Sequence, residues 1–251
     1  IVTLGCSKNK VDSEHLAALL SHRYRIRHDY EGKSEAVVIN TCGFIGDAKE
    51  ESINTILSYA ALRKQNRIKK LYVTGCLSQR YRKELEAEIH EVDGFYGVES
   101  VNSIAADLLK EDVVQGYVCD RVLSTPKHYA YLKISEGCNR RCAFCAIPLI
   151  RGGHVSVPME NLIEEAKGLA KQGVKELILI AQDLTYYGHD LDGKSHFMDL
   201  VKALCEIDGF EWVRLHYGYP LGFPDELLDL MRENPKICHY IDLPLQHVST
   251  H

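Results

Sequence analysis

The sequence predicts an α/β protein in which an N-terminal parallel-sheet domain is followed by part of a (β/α) barrel. Apolar strand segments alternate with helix-like segments in both halves of the chain, and a stretch without periodicity separates the two halves. Alternation of this kind implies a parallel sheet with right-handed crossovers. With 251 residues, 45% of them hydrophobic, the chain is long enough to bury one large core or two ordinary ones.

The predicted N-terminal domain covers residues 1–122 and repeats one pattern: a strand, a corner with glycine and cysteine, and a helix. Its strands are "IVTLGC", "AVVINTCG" and "KKLYVTGC". We expect helices to begin at Asp12, Asp47 and Ser78, because these residue types cap the free N–H groups of a first helical turn.

Residues 123–128 include Ser124, Thr125 and Pro126 and are predicted to be an interdomain linker. Residues 129–251 resume the alternation. The predicted strands are 129–135, 175–181, 211–217 and 238–244, and the predicted helices are 159–172, 196–206 and 224–232. Because four strands do not close a barrel and both ends of the sequence look cut, we expect the chain to be a fragment of a longer protein.

The composition of the chain limits the classes of function that it can have. No signal peptide and no apolar run long enough to span a bilayer occurs, so neither export nor a membrane location is expected. Nine cysteines in such a chain indicate a cytoplasmic protein whose clustered thiols bind metal or react. The net charge of −5 argues against a dedicated nucleic-acid surface within these residues.

One group of cysteines lies at the ends of three predicted strands. Cys6, Cys42 and Cys76 each follow a strand, beside a glycine. Ligands bind outside the carboxyl ends of parallel strands, and glycine lets the backbone approach a bulky ligand. A shared metal site is therefore predicted, against the alternative of three buried small hydrophobes.

A second group, Cys138, Cys142 and Cys145, has the spacing C-x3-C-x2-C after the first strand of the second domain. Iron–sulfur clusters usually take four thiolates, so a cluster held by three would leave one iron open to a substrate or cofactor. Zinc with a distant fourth ligand is the competing interpretation.

These residues resemble a known family. The segment "CNRRCAFC" resembles the radical S-adenosylmethionine signature. The segments "TLGCSKN" with "VDSE", "INTCGFI" with "AKEES", and "VTGCLSQRY" resemble the N-terminal domain of the methylthiotransferases. Within that family, "NTCGFI", "LIAQDLTYYG" and "VRLHYGYP" are similar to the branch that methylthiolates an aspartate of small-subunit ribosomal protein twelve. The branches that modify transfer RNA typically have a second strand like "GQNVNSY". The resemblance covers essentially the whole chain.

The resemblance implies a transferase with two [4Fe-4S] clusters and S-adenosylmethionine. Cys138, Cys142 and Cys145 would hold the catalytic cluster, and Cys6, Cys42 and Cys76 an auxiliary cluster that carries or donates sulfur. An aspartate C–H is too weakly acidic for a protein base, whereas a 5′-deoxyadenosyl radical abstracts the hydrogen directly.

The implied partners are the ribosomal protein and a low-potential electron donor such as a flavodoxin or ferredoxin. RNA contact is left to a C-terminal TRAM domain beyond residue 251.

Several residues outside the two cysteine groups are candidates for supporting roles at the second group. Phe144 is expected to shield the cluster or pack on adenine, with a plain core aromatic as the alternative. Gln182 and Asp183 end the second barrel strand and are expected to contact S-adenosylmethionine or substrate. Arg140 either offsets the negative charge of the cluster or is solvated. Val157 stands where the family often has a basic residue.

Tyr217 and Tyr219 at the third strand, and Gln246 and His247 after the fourth, are weaker candidates for the same rim. Cys119, Cys205 and Cys238 lie within apolar patterns and are predicted to pack in the core. Two other functions stay open: methylthiolation of a transfer RNA adenosine, and a non-catalytic iron–sulfur or zinc-binding module.

Overall fold

The structure, a computed structural model, describes residues 1–113 and 116–245. It divides into two compact units. The N-terminal unit comprises residues 1–124 and 141–151, and the C-terminal unit comprises 125–140 and the described residues from 152 onward. The first boundary between the units follows Ser124 and lies inside the predicted linker, residues 123–128. Segment 141–151 belongs to the N-terminal unit, whereas the sequence places it in the predicted domain 129–251.

The N-terminal unit contains a four-stranded parallel sheet whose strands follow one another in chain order. The parallel α/β class predicted from the sequence is confirmed. The strands are β1 (Val2–Thr3), β2 (Ser34–Thr41), β3 (Ile68–Gly75) and β4 (Gly94–Phe95). The helices are α1 (Ser7–Leu20), α2 (Gly46–Lys64), α3 (Cys76–Glu88), α4 (Val101–Leu109) and α5 (Ile147–Arg151).

Apolar cores cover both faces of this sheet. Successive side chains of a strand point to opposite faces, so Ile39 and Val73 lie in one core while Val38 and Tyr72 lie in the other. The first core includes Ile56 of α2, and the second includes residues of α1 and α4. Burial on both faces explains why β2 and β3 read as continuous apolar runs.

The helices of this unit begin closer to their strands than the sequence predicts. Helix α1 begins at Ser7 instead of Asp12, α2 at Gly46 instead of Asp47, and α3 at Cys76 instead of Ser78. No side chain caps any of these three helices. The prediction failed because it assumed side-chain caps. Helix α1 begins directly after Cys6, and α3 begins at Cys76, directly after β3. The first-turn N–H groups of these two helices are therefore close in sequence to Cys6 and Cys76.

The C-terminal unit contains three parallel strands and a short antiparallel hairpin. In chain order the strands are β5 (Tyr129–Lys133), β6 (Ser135–Glu136), β7 (Val155–Ser156), β8 (Glu176–Ile180) and β9 (Trp212–Leu215), with β6 and β7 forming the hairpin and β5, β8 and β9 the parallel sheet. The helices are α6 (Met159–Lys171), α7 (His189–Asp192), α8 (Phe197–Cys205) and α9 (Glu226–Glu233), and a 3₁₀ turn spans Leu184–Tyr186. The hairpin and α7 were not predicted.

The predicted strand at 238–244 is wrong. Cys238 N–H bonds to the Val213 carbonyl at 3.0 Å, and Gly218 N–H bonds to the Asp242 carbonyl at 3.0 Å. Between these points Tyr240 N–H bonds back to the Cys238 carbonyl at 2.7 Å. This local bond interrupts the ladder, so the segment follows β9 without forming a strand. Among the described residues, no helix is both long and apolar enough to cross a bilayer.

The end of the N-terminal unit is anchored by a buried ion pair between Glu14 of α1 and Arg121. Both side chains are at most 1% exposed. The Glu14 carboxylate also accepts hydrogen bonds from Ser124 N–H at 2.8 Å and Ser124 Oγ at 2.6 Å. This carboxylate therefore fixes the segment that leads to the predicted linker onto α1.

We expect Glu14→Ala to lower the free energy of unfolding of the N-terminal unit by about 3–5 kcal/mol, because it leaves a buried guanidinium without its carboxylate. Urea denaturation measures the change. The control is Glu86→Ala, which removes an exposed pair with Arg82 on α3 and should cost no more than about 0.5 kcal/mol. Equal effects of the two substitutions would contradict a stabilising role for the buried pair.

Candidate functional site

The sheet register places Cys6, Cys42 and Cys76 at one edge of the N-terminal sheet. The last register pair of β2 and β3 is Thr41 with Gly75, so Cys42 and Cys76 each follow it by one residue. Strand β1 pairs with β2 at Thr3 and Asn40, and the Leu4 N–H bonds to the Asn40 carbonyl at 2.9 Å. The three thiols thus follow three neighbouring strands.

Two glycines make room for this cluster of thiols. A Cβ on Gly5 would lie 2.6 Å from Cys42 Cβ and 2.9 Å from Cys42 Sγ. Gly75 has a φ of +97°, and a Cβ there would lie 2.4 Å from the Thr41 carbonyl oxygen. A side chain at Gly5 would close the space beside Cys42, and one at Gly75 would strike the backbone of Thr41, the residue before Cys42.

Hydrogen bonds fix the backbone around the thiols. Ser52 Oγ accepts from Cys42 N–H at 3.0 Å and donates to the Cys42 carbonyl at 2.9 Å. Asn9 Nδ2 donates to the carbonyls of Leu4 at 2.9 Å and Thr41 at 3.0 Å, and so joins the ends of β1 and β2. Both Ser52 and Asn9 are buried.

The three thiols differ in exposure. Cys6 is exposed, Cys42 is half-buried and Cys76 is buried. Burial raises the pKa of the Cys76 thiol, the guanidinium of Arg151 opposes that rise, and the nearby Cys6 and Cys42 add to it. Interaction with both of the other cysteines places the trio in one electrostatic neighbourhood.

The trio has the chemistry that an iron–sulfur cluster requires. It offers three soft sulfur ligands, a space kept open by Gly5, and a buried guanidinium beside Cys76 that favours negative charge. Uncapped N-termini of α1 and α3 add positive partial charge at the same edge. Within residues 1–113 and 116–245, no three His, Cys, Asp or Glu side chains are arranged as ligands of a single metal ion.

The second trio is divided between the two units. Cys138 belongs to the C-terminal unit, where its N–H bonds to the Gly152 carbonyl at 3.1 Å. Cys142 and Cys145 belong to the N-terminal unit and share one turn, in which Cys145 N–H bonds to the Cys142 carbonyl at 3.0 Å. All three are half-buried.

Arg140 stands two residues after Cys138, and contacts within the C-terminal unit hold its side chain in place. Its Nε donates to Asp183 Oδ2 at 2.9 Å, and its guanidinium lies 4.4 Å from the ring centre of Tyr219 and 5.4 Å from that of Tyr186. The Arg140 N–H lies 3.4 Å from Cys138 Sγ. Of the two interpretations of Arg140, a merely solvated side chain is wrong.

Asp183 is 1% exposed, and both of its oxygens have internal partners. Oδ1 accepts from Thr185 N–H at 3.1 Å and from Thr185 Oγ1 at 2.7 Å. This geometry favours a role for Asp183 in positioning Arg140. The direct contact with cofactor or substrate that the sequence suggests for Asp183 stays a prediction.

Gln182 lies in a buried polar group at the end of β8. Its Nε2 donates to Glu136 Oε1 at 2.8 Å, and Lys133 Nζ pairs with Glu136 Oε2 at 2.8 Å. The Gln182 Oε1 atom is buried and, among the described residues, has no hydrogen-bond partner. It is therefore an acceptor that a bound ligand could satisfy.

The remaining candidates are placed as follows. Phe144 is 76% exposed, so the alternative of a core aromatic is wrong, and its predicted contact with cluster or adenine stays a prediction. Tyr217 has a positive φ of 69° where β9 ends. Gln246 and His247 lie outside the described residues. Cys205 is buried in α8 as predicted, whereas Cys119 and Cys238 are only partly buried.

Sequence reasoning missed Asn9, Ser52 and Glu136 as residues of the site. Asn9 is the asparagine of the quoted motif "TLGCSKN", three residues after Cys6, which was a usable signal. Ser52 ends the stretch "AKEES", and Glu136 stands two residues before Cys138. Their roles depend on hydrogen bonds to Cys42 and Gln182 that only the fold creates.

Comparison with known proteins agrees with this arrangement. The family described as "Uncharacterized protein family UPF0004" matches residues 1–97, and the radical SAM superfamily matches residues 132–251. A ribosomal protein uS12 methylthiotransferase RimO from Flavobacterium johnsoniae is 54% identical over 99% of the chain. A protein of the same name from Phocaeicola vulgatus is 53% identical over 99% of the chain, and one from Cytophaga hutchinsonii is 53% identical over 100% of the chain.

Nearly the whole chain is thus similar to uS12 methylthiotransferases, and its second half matches the radical SAM superfamily. The resemblance found in the cysteine motifs is thereby confirmed. The chain spans 57–58% of the length of these relatives.

Among solved structures, the radical S-adenosylmethionine methyltransferase TsrM from Kitasatospora setae matches with a TM-score of 0.63 at 13% identity, over 99% of this chain and 60% of that one. The cobalamin-dependent radical enzyme OxsB matches with a TM-score of 0.52 at 12% identity, over 87% of this chain and 38% of that one. At these identities the likeness concerns the fold alone.

Proposed function

We propose that this chain carries the catalytic residues of an enzyme that inserts a methylthio group at the β-carbon of an aspartate of ribosomal protein uS12. The observation that carries the proposal is the edge of the N-terminal sheet, where Cys6, Cys42 and Cys76 follow three adjacent strands. Cleavage of S-adenosylmethionine needs only the C-x3-C-x2-C group, and a second domain with three cysteines of its own separates the methylthiotransferases from most other radical enzymes. The relatives named for uS12 methylthiolation support the choice of substrate.

Two [4Fe-4S] clusters are the cofactors that the two trios would hold. Cys138, Cys142 and Cys145 would bind one cluster together with S-adenosylmethionine, and Cys6, Cys42 and Cys76 would bind the other. When bound, the first cluster and S-adenosylmethionine supply a 5′-deoxyadenosyl radical that abstracts hydrogen.

The side chains of the C-terminal unit have two tasks in this proposal. Arg140, fixed by Asp183 and by Tyr219, keeps a positive charge beside Cys138 and offsets thiolate charge. Gln182 offers its buried Oε1 as an acceptor for an N–H group of S-adenosylmethionine, while Glu136 fixes its amide. Both tasks are positioning and charge compensation, since the cofactors supply the bond-breaking chemistry.

The proposed partners follow from this reaction. Each cycle consumes electrons, so a low-potential donor such as a flavodoxin or ferredoxin is required. A ribosomal protein substrate places the enzyme in the cytoplasm. Direct RNA contact is assigned to a C-terminal domain outside these residues, because these residues carry a net charge of −5.

Metal content and turnover test the reaction class. Protein expressed from its complete gene and reconstituted anaerobically should contain iron and sulfide, absorb in the visible range, and form 5′-deoxyadenosine from S-adenosylmethionine after reduction with dithionite. A colourless protein that contains zinc instead of iron would support the zinc-binding module. Iron without 5′-deoxyadenosine would support a non-catalytic iron–sulfur protein.

A further inference from the structure

The buried side chain of Arg151 ends α5 within the N-terminal unit and contacts the first cysteine trio. It is 5% exposed. Its Nε donates to Cys76 Sγ at 3.3 Å, and its Nη2 donates to Asn9 Oδ1 at 2.6 Å. One planar guanidinium therefore joins a predicted cluster ligand to the residue that ties β1 to β2.

The position of this guanidinium is fixed from both sides. Asn9 is itself held by its two bonds to the carbonyls of Leu4 and Thr41, so its Oδ1 atom points in a set direction. On the other side, α5 packs against α3, the helix that begins at Cys76. An arginine fork held in this way loses little freedom when it donates to sulfur.

We infer that Arg151 is a positioning residue for the cluster on Cys6, Cys42 and Cys76, and that its hydrogen bond to the Cys76 sulfur raises the reduction potential of that cluster. The inference rests on the proposed function, in which these cysteines hold a cluster. Hydrogen bonds to the sulfurs and nearby positive charge favour the reduced, more negative state. Cys142 and Cys145 lie on the same segment, 141–151. This segment thus contributes to both cysteine groups.

The test uses the complete protein with Cys138, Cys142 and Cys145 all replaced by alanine, so that only the cluster of the first trio remains. Its potential is measured by redox titration monitored by electron paramagnetic resonance. Arg151→Gln should lower the ratio of reduced to oxidised cluster at a fixed potential about tenfold, which is ~59 mV for a one-electron couple. Arg151→Lys keeps the charge without the fork and should give a smaller shift in the same direction.

The matched control is Arg82→Gln, which removes one positive charge from the exposed surface of α3 and should leave the potential unchanged. If Arg151→Gln does not fold, Arg151→Lys decides the matter by itself. Unchanged potentials in a folded Arg151 variant would overturn the inference while leaving the cluster in place. If the parent protein with only the first trio binds no iron, the proposed function fails at this site, which is a distinct result.

Discussion

Replacing Cys142 with alanine is expected to abolish 5′-deoxyadenosine formation and to remove about half of the bound iron. The physical reason is that a cluster with three protein ligands loses a third of its anchoring thiolates, while the cysteines of the other trio are untouched. The experiment uses protein from the complete gene, reconstituted anaerobically, with iron assayed by colorimetry and 5′-deoxyadenosine by chromatography.

Cys42→Ala should give the complementary result. It removes a similar share of iron but leaves S-adenosylmethionine cleavage intact, because Cys42 belongs to the edge of the N-terminal sheet. Methylthio transfer should nevertheless stop. Loss of all iron from either folded variant would contradict two independent clusters.

Cys205→Ala is the matched control. This cysteine is buried in α8 and belongs to neither trio, and burial raises the pKa of its thiol to about 11. The variant should keep full iron content and full cleavage activity.

The parts of the site that the sequence predicted are those set by local pattern. Cys6, Cys42 and Cys76 follow apolar segments with a glycine beside them, and parallel pairing alone brings such positions to one edge. The sheet of the N-terminal unit was therefore predictable without knowledge of any side-chain contact. The helix starts were not, because no capping side chain marks them.

The parts that the sequence did not predict depend on contacts between distant residues. Segment 141–151 contains Cys142 and Cys145 of the C-x3-C-x2-C motif, and the sequence assigns it to the second domain by continuity. The bonds of Arg151 reach Cys76, 75 residues away, and Asn9, 142 residues away, and no periodicity encodes them. Likewise, the bond between Asp183 and Arg140 joins residues 43 positions apart, and no local pattern encodes it.

The predicted strand at 238–244 failed for another reason. Its apolar residues match a strand pattern, but β-structure depends on a continuous ladder of backbone bonds with a neighbour. Here the Tyr240 N–H bonds to the Cys238 carbonyl within the same segment. Sequence pattern describes which side chains are suited to burial, and it does not reveal where a backbone N–H bonds locally.

Deleting the gene is expected to remove a methylthio mass increment from one aspartate of ribosomal protein uS12 and to leave transfer RNA nucleosides unchanged. Phosphate contacts dominate the affinity of proteins for RNA, and they require basic surfaces. These residues contain 35 acidic and 30 basic side chains, so a basic ribosomal protein is electrostatically the more favourable partner. Relatives with 53–54% identity carry the uS12 methylthiotransferase name.

Mass spectrometry of ribosomal proteins and of digested transfer RNA from one pair of strains measures both substrates at once. Complementation with the intact gene should restore the increment on uS12, whereas a Cys42→Ala gene should not, because sulfur transfer depends on the first trio. A Glu86→Ala gene is the control for expression, since it removes only an exposed ion pair on α3. Loss of a methylthio-adenosine with unaltered uS12 would assign the enzyme to the transfer RNA branch instead, and the basic surface for RNA would then have to come from outside these residues.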